Sequence, residues 1–332
     1  MMRVVILDGR GSFEIQELPD PEPGPGDLVV APVAVGICGT DLHLASGDYP
    51  TGRFPVVPGH EFAGTVVSVG AGIDQFAAGD RVCVDPNVSC GVCEQCRAGA
   101  TNLCPELVPI GVAIDGACAE LVRVPAKVAY RLPEELDFAT GALIEPLACV
   151  LHAASRIRPI KDQRVLVYGA GSIGLLAVAY AKARGAQSIG VIEPSAVRRD
   201  AALEFGAEVV HAPGGRPDGR DVDLVIEASG HPSAVSDALD RLAKRGTLLQ
   251  MGVVSPESSV DLFPYDLFDR ELSLVGSQSL ATAFPDAVSA VLDLPRLSER
   301  MVTHTFGLAE YGAALDAARS DGARKVHVLP QQ

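Results

Sequence analysis

Arg164-Val165-Leu166-Val167-Tyr168-Gly169-Ala170-Gly171-Ser172-Ile173-Gly174 is the stretch on which the reading of this chain turns. Its opening apolar run predicts a buried parallel strand. The run ends in Gly169-x-Gly171-x-x-Gly174 and passes into Leu175–Lys182, helical in composition, with Gly185 placed to stop the helix. Gly169 permits a tight turn, Gly171 lets a pyrophosphate approach the backbone, and Gly174 lets helix and strand pack closely. Free N–H groups at the helix start, through Ser172 and Ile173, then hold the anion with the helix dipole. Glu193 follows Gly174 by nineteen positions and ends the apolar run Ser188–Ile192. An acid there accepts the hydrogen bonds of an adenosine ribose diol. Glycine turns follow strands in many folds; the strand, helix and acid together are what predict a bound dinucleotide.

Downstream the alternation continues. Val197–Phe205 reads as a helix ending at Gly206, Asp223–Gly230 as a strand and turn, Ala234–Ala243 as an amphipathic helix, Thr247–Gly252 as a strand, and Leu272–Gly276 as the last of the series. Such repetition predicts a doubly wound parallel sheet with its ligand at the carboxyl ends of the strands, where Ser229 and Gly252 fall. Arg198 and Arg199 offer a 2′-phosphate site or a solvated helix face. Glu193 would repel that phosphate, so NAD is expected rather than NADP. Leu308–Ala318 reads as a helix and Val326–Leu329 as a closing strand.

Upstream, from Met1 to about Glu145, short strands are broken by Gly and Pro, as in Val29–Val35, Gly64–Gly70 and Arg81–Val84. This predicts an all-β, barrel-like domain. It carries Gly36-Ile37-Cys38-Gly39-Thr40-Asp41-Leu42-His43, then Pro58-Gly59-His60-Glu61-Phe62-Ala63-Gly64. Thiolate, imidazole and carboxylate are the ligand types zinc prefers, and here they sit on glycine-flanked loops. Cys90-x-x-Cys93-x-x-Cys96-x7-Cys104 is the stronger metal signal. Four thiolates on one lobe close a tetrahedral site with no open position, a structural rather than a catalytic arrangement. With few apolar neighbours, the lobe takes its folding energy from the metal. An iron–sulfur cluster is the competing reading, disfavoured by the second, mixed-ligand site. Cys83, Cys118 and Cys149 fall outside the pattern and read as packing residues. In Thr140–Cys149 the acid Glu145 interrupts an apolar run, and either approaches a metal or caps the helix through Leu147–Ala154.

With 332 residues the chain has room for two domains. No apolar run approaches the roughly 18 residues of a membrane span, and Val4–Leu7 is too short for a signal-peptide core, so a cytoplasmic protein is expected. A net charge of −15 argues against nucleic acid and anionic membranes as partners, and against a zinc-ribbon nucleic-acid module. Half of the eight cysteines lie between Cys90 and Cys104, a cluster that in a cytosolic chain points to metal rather than disulfides.

Taken in order, Cys38, Gly59-His60-Glu61-x-x-Gly64, the four-cysteine lobe and the glycine motif resemble a zinc-dependent medium-chain dehydrogenase, of the alcohol and polyol dehydrogenase family. The resemblance covers essentially the whole chain. It implies a GroES-like β-barrel catalytic domain over residues 1–147 and 278–332, with a zinc lobe at about 85–107, and a Rossmann domain over 148–277. It also implies two zinc ions per chain. Cys38 and His60 would hold the catalytic ion and Cys90, Cys93, Cys96 and Cys104 the structural one. Thr40 would take the hydroxyl position beside the substrate oxygen, and His43 the end of a proton relay. Ser277 would border the nicotinamide and a subunit interface, in a homo-oligomer (tetramer or dimer), and Lys325 would reach the pyrophosphate. Typical alcohol dehydrogenases have cysteine where this chain has Glu145. That resembles the sorbitol dehydrogenase branch, in which Glu61 ligates directly while Glu145 holds the metal's water. The implied reaction is NAD-linked oxidation of a secondary alcohol, a polyol or cyclitol, with threonine and simple alcohols as alternatives. A non-catalytic NAD-binding protein on the same architecture is the reading from another class.

Overall fold

The computed structural model describes residues 1–47, 52–216 and 219–332. The chain forms two compact units, Met1–Glu145 with Phe284–Gln332, and Pro146–Ala283. Residues 146–147 and 278–283, expected with the barrel, thus fall in the second unit.

The first unit is built on a seven-stranded sheet. Its main path runs Val302–Gly307, Lys325–Leu329, Asp27–Ile37, Glu61–Val69, Arg81–Val84 and Ala129–Arg131, with Val122–Pro125 paired to Asp27–Ile37. The C-terminal strand Lys325–Leu329 lies antiparallel to Asp27–Ile37, so the end of the chain is threaded into its first domain. Leu28, Val35, Phe62, Val82, Ile110 and Tyr311 are among the fully buried side chains of its core. Each such side chain contributes roughly 1.5–3 kcal/mol through removal of apolar surface from water. Among the elements not read from the sequence, Gly39–Ser46 forms a short helix directly after Cys38, ended by Gly47 in the left-handed region.

The second unit is a six-stranded parallel sheet in the order Val209–His211, Ser188–Ile192, Arg164–Tyr168, Val222–Glu227, Leu242–Gln250 and Ser273–Gly276. The strand order reverses between Arg164–Tyr168 and Val222–Glu227, the doubly wound arrangement with its binding crevice at the switch. The helix read at 234–243 spans Pro232–Arg241, and the strand after it begins at Leu242 rather than Thr247. Leu242 already pairs with Val222, and an irregularity after it restores register at Leu224 and Thr247.

Candidate active site

In the first unit the site grows from three neighbouring strand ends. Cys38 follows the strand Asp27–Ile37 and caps the helix Gly39–Ser46. Its backbone N–H donates to Asp41 Oδ2 at 2.8 Å. His60 precedes the strand Glu61–Val69, in which Glu61 pairs with Gly36. The Cys38 sulfur, a His60 ring nitrogen and a Glu61 oxygen all lie within 4.8 Å of one another. His60 and Glu61 are buried. Their sulfur, nitrogen and oxygen donors suit zinc and leave a fourth position open, the arrangement of a catalytic rather than a structural ion.

Asp41, the acid three residues after Cys38, is fully buried. Its Oδ1 stands 3.6 Å from His60 Nδ1 and accepts the Gly59 N–H at 3.4 Å. Asp41 thus sets a carboxylate behind the imidazole, near Nδ1 but beyond hydrogen-bond distance, and Nδ1 has no partner among the described residues. Burial alone would lower the His60 pKa; Asp41 and Cys38 outweigh it and hold that pKa well above the ordinary value. The sequence signal was an acid three residues after the thiolate, at the start of a helix.

Lys325 is placed differently from expectation. Its ammonium donates to Glu61 Oε2 at 2.6 Å, Glu61 Oε1 at 2.9 Å and the Ile37 carbonyl at 3.2 Å. Its three protons are thereby engaged by Glu61 and the Ile37 carbonyl, leaving none for the expected pyrophosphate. Burial opposes the charge of Lys325, but Glu61 leads the groups that keep its pKa above the usual lysine value. Glu145 lies in the first turn of the helix Ile144–Ser155, inside it rather than capping it. It is buried, and the three clustered donors do not include it. Burial first, and then the Glu61 charge, push its pKa up to about 7. Thr40 is half-buried, its hydroxyl oxygen 4.0 Å from the Cys38 sulfur, and His43 is exposed one turn along the same helix.

The cysteine lobe closes as the spacing predicts. Cys90, Cys93, Cys96 and Cys104 sulfurs fall within 4.8 Å of one another, with the Cys90–Cys96 and Cys93–Cys104 pairs each at 3.9 Å. Four thiolates about 2.3 Å from a tetrahedral zinc stand roughly 3.8 Å apart, so the residues fit the ion. The backbone N–H groups of Val92 and Cys93 draw the Cys90 thiol down to about 6. By contrast, burial pushes the Cys83 thiol up to about 12, as befits a packing residue.

In the second unit, Gly169 has φ +90°, and a Cβ on Gly174 would lie 2.0 Å from the Gly169 carbonyl. A Cβ on Gly171 would meet nothing within 4 Å, leaving open space over the first turn of the helix Ser172–Ala183. That is a cradle a phosphate can fill. Glu193 is buried and accepts N–H bonds from Ala170 at 2.8 Å and Ser195 at 2.9 Å. The acid thus fixes the glycine turn and retains acceptor capacity for a ribose. The neighbouring Arg199 is turned onto the Glu193 and Pro194 carbonyls. Ser229 closes against Gly169, its Cα 3.1 Å from a Cβ placed there. The Ser277 hydroxyl is buried without a partner among the described residues. Among those residues, no helix is long and apolar enough to cross a membrane.

Residues 24–134 match the profile of the alcohol dehydrogenase GroES-like domain, and residues 172–294 that of the zinc-binding dehydrogenases. The chain is 34% identical to D-altritol 5-dehydrogenase of Agrobacterium fabrum, over 93% of this chain and 94% of that one. It is 31% identical to sorbitol dehydrogenase of Bacillus subtilis, over 100% of this chain and 98% of that one. Among solved structures, a zinc-binding dehydrogenase from Sinorhizobium meliloti bound to NADP superposes with a TM-score of 0.94 at 37% identity, covering 99% of both chains.

Proposed function

The chain belongs to the zinc-dependent medium-chain dehydrogenases, sorbitol dehydrogenase-like, and from that footing we propose that it oxidises a secondary alcohol of a polyol or cyclitol with NAD as acceptor. It is an oxidoreductase of the alcohol and polyol dehydrogenase type, using zinc and a nicotinamide cofactor. The observation that carries the finer reading is the mixed Cys38–His60–Glu61 donor set with Glu145 outside it. It supports Glu61 as the protein's third ligand and Glu145 as the group that orients the fourth, exchangeable one. Zinc bound there supplies Lewis-acid polarisation of an alcohol oxygen.

The protein's own residues do the rest. Cys38 and His60 hold the ion, Asp41 sets a carboxylate behind the imidazole, and Lys325 balances the charge of Glu61. Thr40, beside Cys38, is placed to take the hydroxyl proton. His43 lies three residues further on the same helix and faces solvent, which suits it to pass that proton out. A second zinc in the cysteine lobe serves folding. NAD is preferred because the buried Glu193 carboxylate opposes a 2′-phosphate. We also assign the partner as a second copy of the chain. Phe263, Tyr265 and Phe268 are exposed in the segment leading into the edge strand Ser273–Gly276. An apolar surface beside an open sheet edge suits self-association.

Metal analysis and a substrate screen test this reading together. Two zinc ions per chain, and NADH formation with polyols or cyclitols above threonine and simple alcohols, are expected. Glu61→Ala should shed the catalytic zinc, whereas Glu145→Ala should keep it and lose turnover by about 10–100-fold. The opposite pattern makes Glu145 the ligand; no change in either variant overturns the site.

A further inference from the structure

The strand Val222–Glu227 ends in a carboxylate whose setting is unusual. Glu227 is fully buried, and every group on it is a neutral donor. Oε1 accepts the Ser229 N–H at 2.8 Å, the Gly230 N–H at 3.0 Å and the Ser229 hydroxyl. Oε2 accepts the Gln250 side-chain amide at 2.6 Å and the Gly230 N–H at 3.2 Å. The same Gln250 nitrogen donates to the Gly252 carbonyl at 2.8 Å, which fixes the amide's orientation. Both oxygens thus face hydrogen-bond donors. Buried charges are ordinarily paired with an opposite charge; the hydrogen bonds on this one, among the described residues, come from neutral dipoles.

Its place in the sheet gives that charge a use. A doubly wound sheet binds a dinucleotide as two mononucleotide halves, one on each side of the switch point. Glu193, the ribose acid, ends Ser188–Ile192 on one side, so the adenosine belongs to that half. The nicotinamide then belongs to the half made by Val222–Glu227, Leu242–Gln250 and Ser273–Gly276, in which Glu227 is buried. The oxidised nicotinamide ring carries a positive charge and the reduced ring none. We infer that Glu227 is a positioning and electrostatic residue that favours the oxidised cofactor over the reduced one: it pins the Ser229–Gly230 and Gly252 turns and adds a fixed negative charge to the nicotinamide half. The inference rests on the cofactor reading above.

Dissociation constants for NADH, by fluorescence, and NAD, by competition, on the zinc-loaded enzyme test it. Glu227→Gln keeps the shape and removes the charge. The ratio of the NAD constant to the NADH constant should rise on the order of tenfold, the effect of one unit charge acting through a partly polarisable interior. Glu227→Asp keeps the charge while spoiling the hydrogen bonds, and should leave the ratio near its wild-type value even if both constants weaken. Should Glu227→Gln fail to fold, Gln250→Lys places an ammonium against Glu227 and must move the ratio the same way. Equal weakening of both cofactors, or an unchanged ratio, overturns the inference while leaving the cofactor reading intact. Wild-type protein that binds neither nucleotide overturns both.

Discussion

Lys325 and Glu61 meet across a strand that belongs to neither of them. Lys325 lies on the C-terminal strand and Glu61 on Glu61–Val69, with Asp27–Ile37 running between. Strands two apart in a sheet stand roughly 9–10 Å apart, too far for a contact over an ordinary side chain. Gly36 provides the gap: it pairs with Glu61 on one side and His327 on the other, and a Cβ on it would lie 2.2 Å from Glu61 Oε2. The ion pair is buried at 2.6 Å, with both side chains almost wholly out of water.

Breaking that pair leaves a buried charge alone. Lys325→Met should destabilise the metal-stripped protein by about 3–5 kcal/mol in urea unfolding. Adding Glu61→Gln to it removes the stranded carboxylate and should recover most of the loss. A double variant no more stable than the single one would show that the pair does not hold the three strands.

The cysteine lobe should behave as a folding element. Cys96→Ser is expected to lower zinc content from two ions to one per chain and to cost more than about 3 kcal/mol, because structural metal binding is folding energy. The catalytic ion should remain. Full stability with loss of turnover alone would contradict a structural role.

Cofactor choice should follow Glu193. The wild type should show the higher kcat/KM with NAD, and Glu193→Ser should narrow the preference by about tenfold or more, the size of a single ~1.4 kcal/mol interaction. Some loss with both cofactors is expected as well, since the variant also releases the Ala170 and Ser195 N–H groups. Higher wild-type kcat/KM with NADP would turn attention to Arg198 and Arg199.

His327 should give the protein an acid-sensitive limb. It is fully buried with neither ring nitrogen partnered among the described residues. Burial first, and then the Lys325 charge, lower its pKa to about 3 from an ordinary 6.5. The folded state therefore refuses a proton that the unfolded state accepts below about pH 6.5. Stability should fall between that pH and about pH 3, by up to on the order of 4 kcal/mol. His327→Leu removes both the titration and the unpaired nitrogens, so its stability should decline less over this window and be no lower at pH 7. Parallel pH curves for the two proteins would discount the residue.

What the sequence determined by itself is whatever a short stretch of chain settles locally. The turn at Gly169–Gly174 follows from the absence of side chains between a strand and the helix it feeds, and the cysteine lobe from thiolates close enough in sequence to surround one ion. The parallel sheet followed from strands alternating with helices, since parallel neighbours need a crossover. Cys38, His60 and Glu61, whose donor atoms cluster in the fold, were legible as residue types on glycine-flanked loops.

Tertiary structure decided the partners of those side chains. Lys325 and Glu61 are 264 residues apart, and only the insertion of the last strand beside Asp27–Ile37 brings them together. Asp41, a helix-start acid, faces Gly59 and His60 because those residues fold back over that helix's first turn. Glu227 read as part of a strand and turn; its neutral donors depend on how Gln250 and the Ser229–Gly230 turn close around it. Sequence states which groups a strand end carries. Which charge faces which is fixed by strand register, and register is set by packing over the whole sheet.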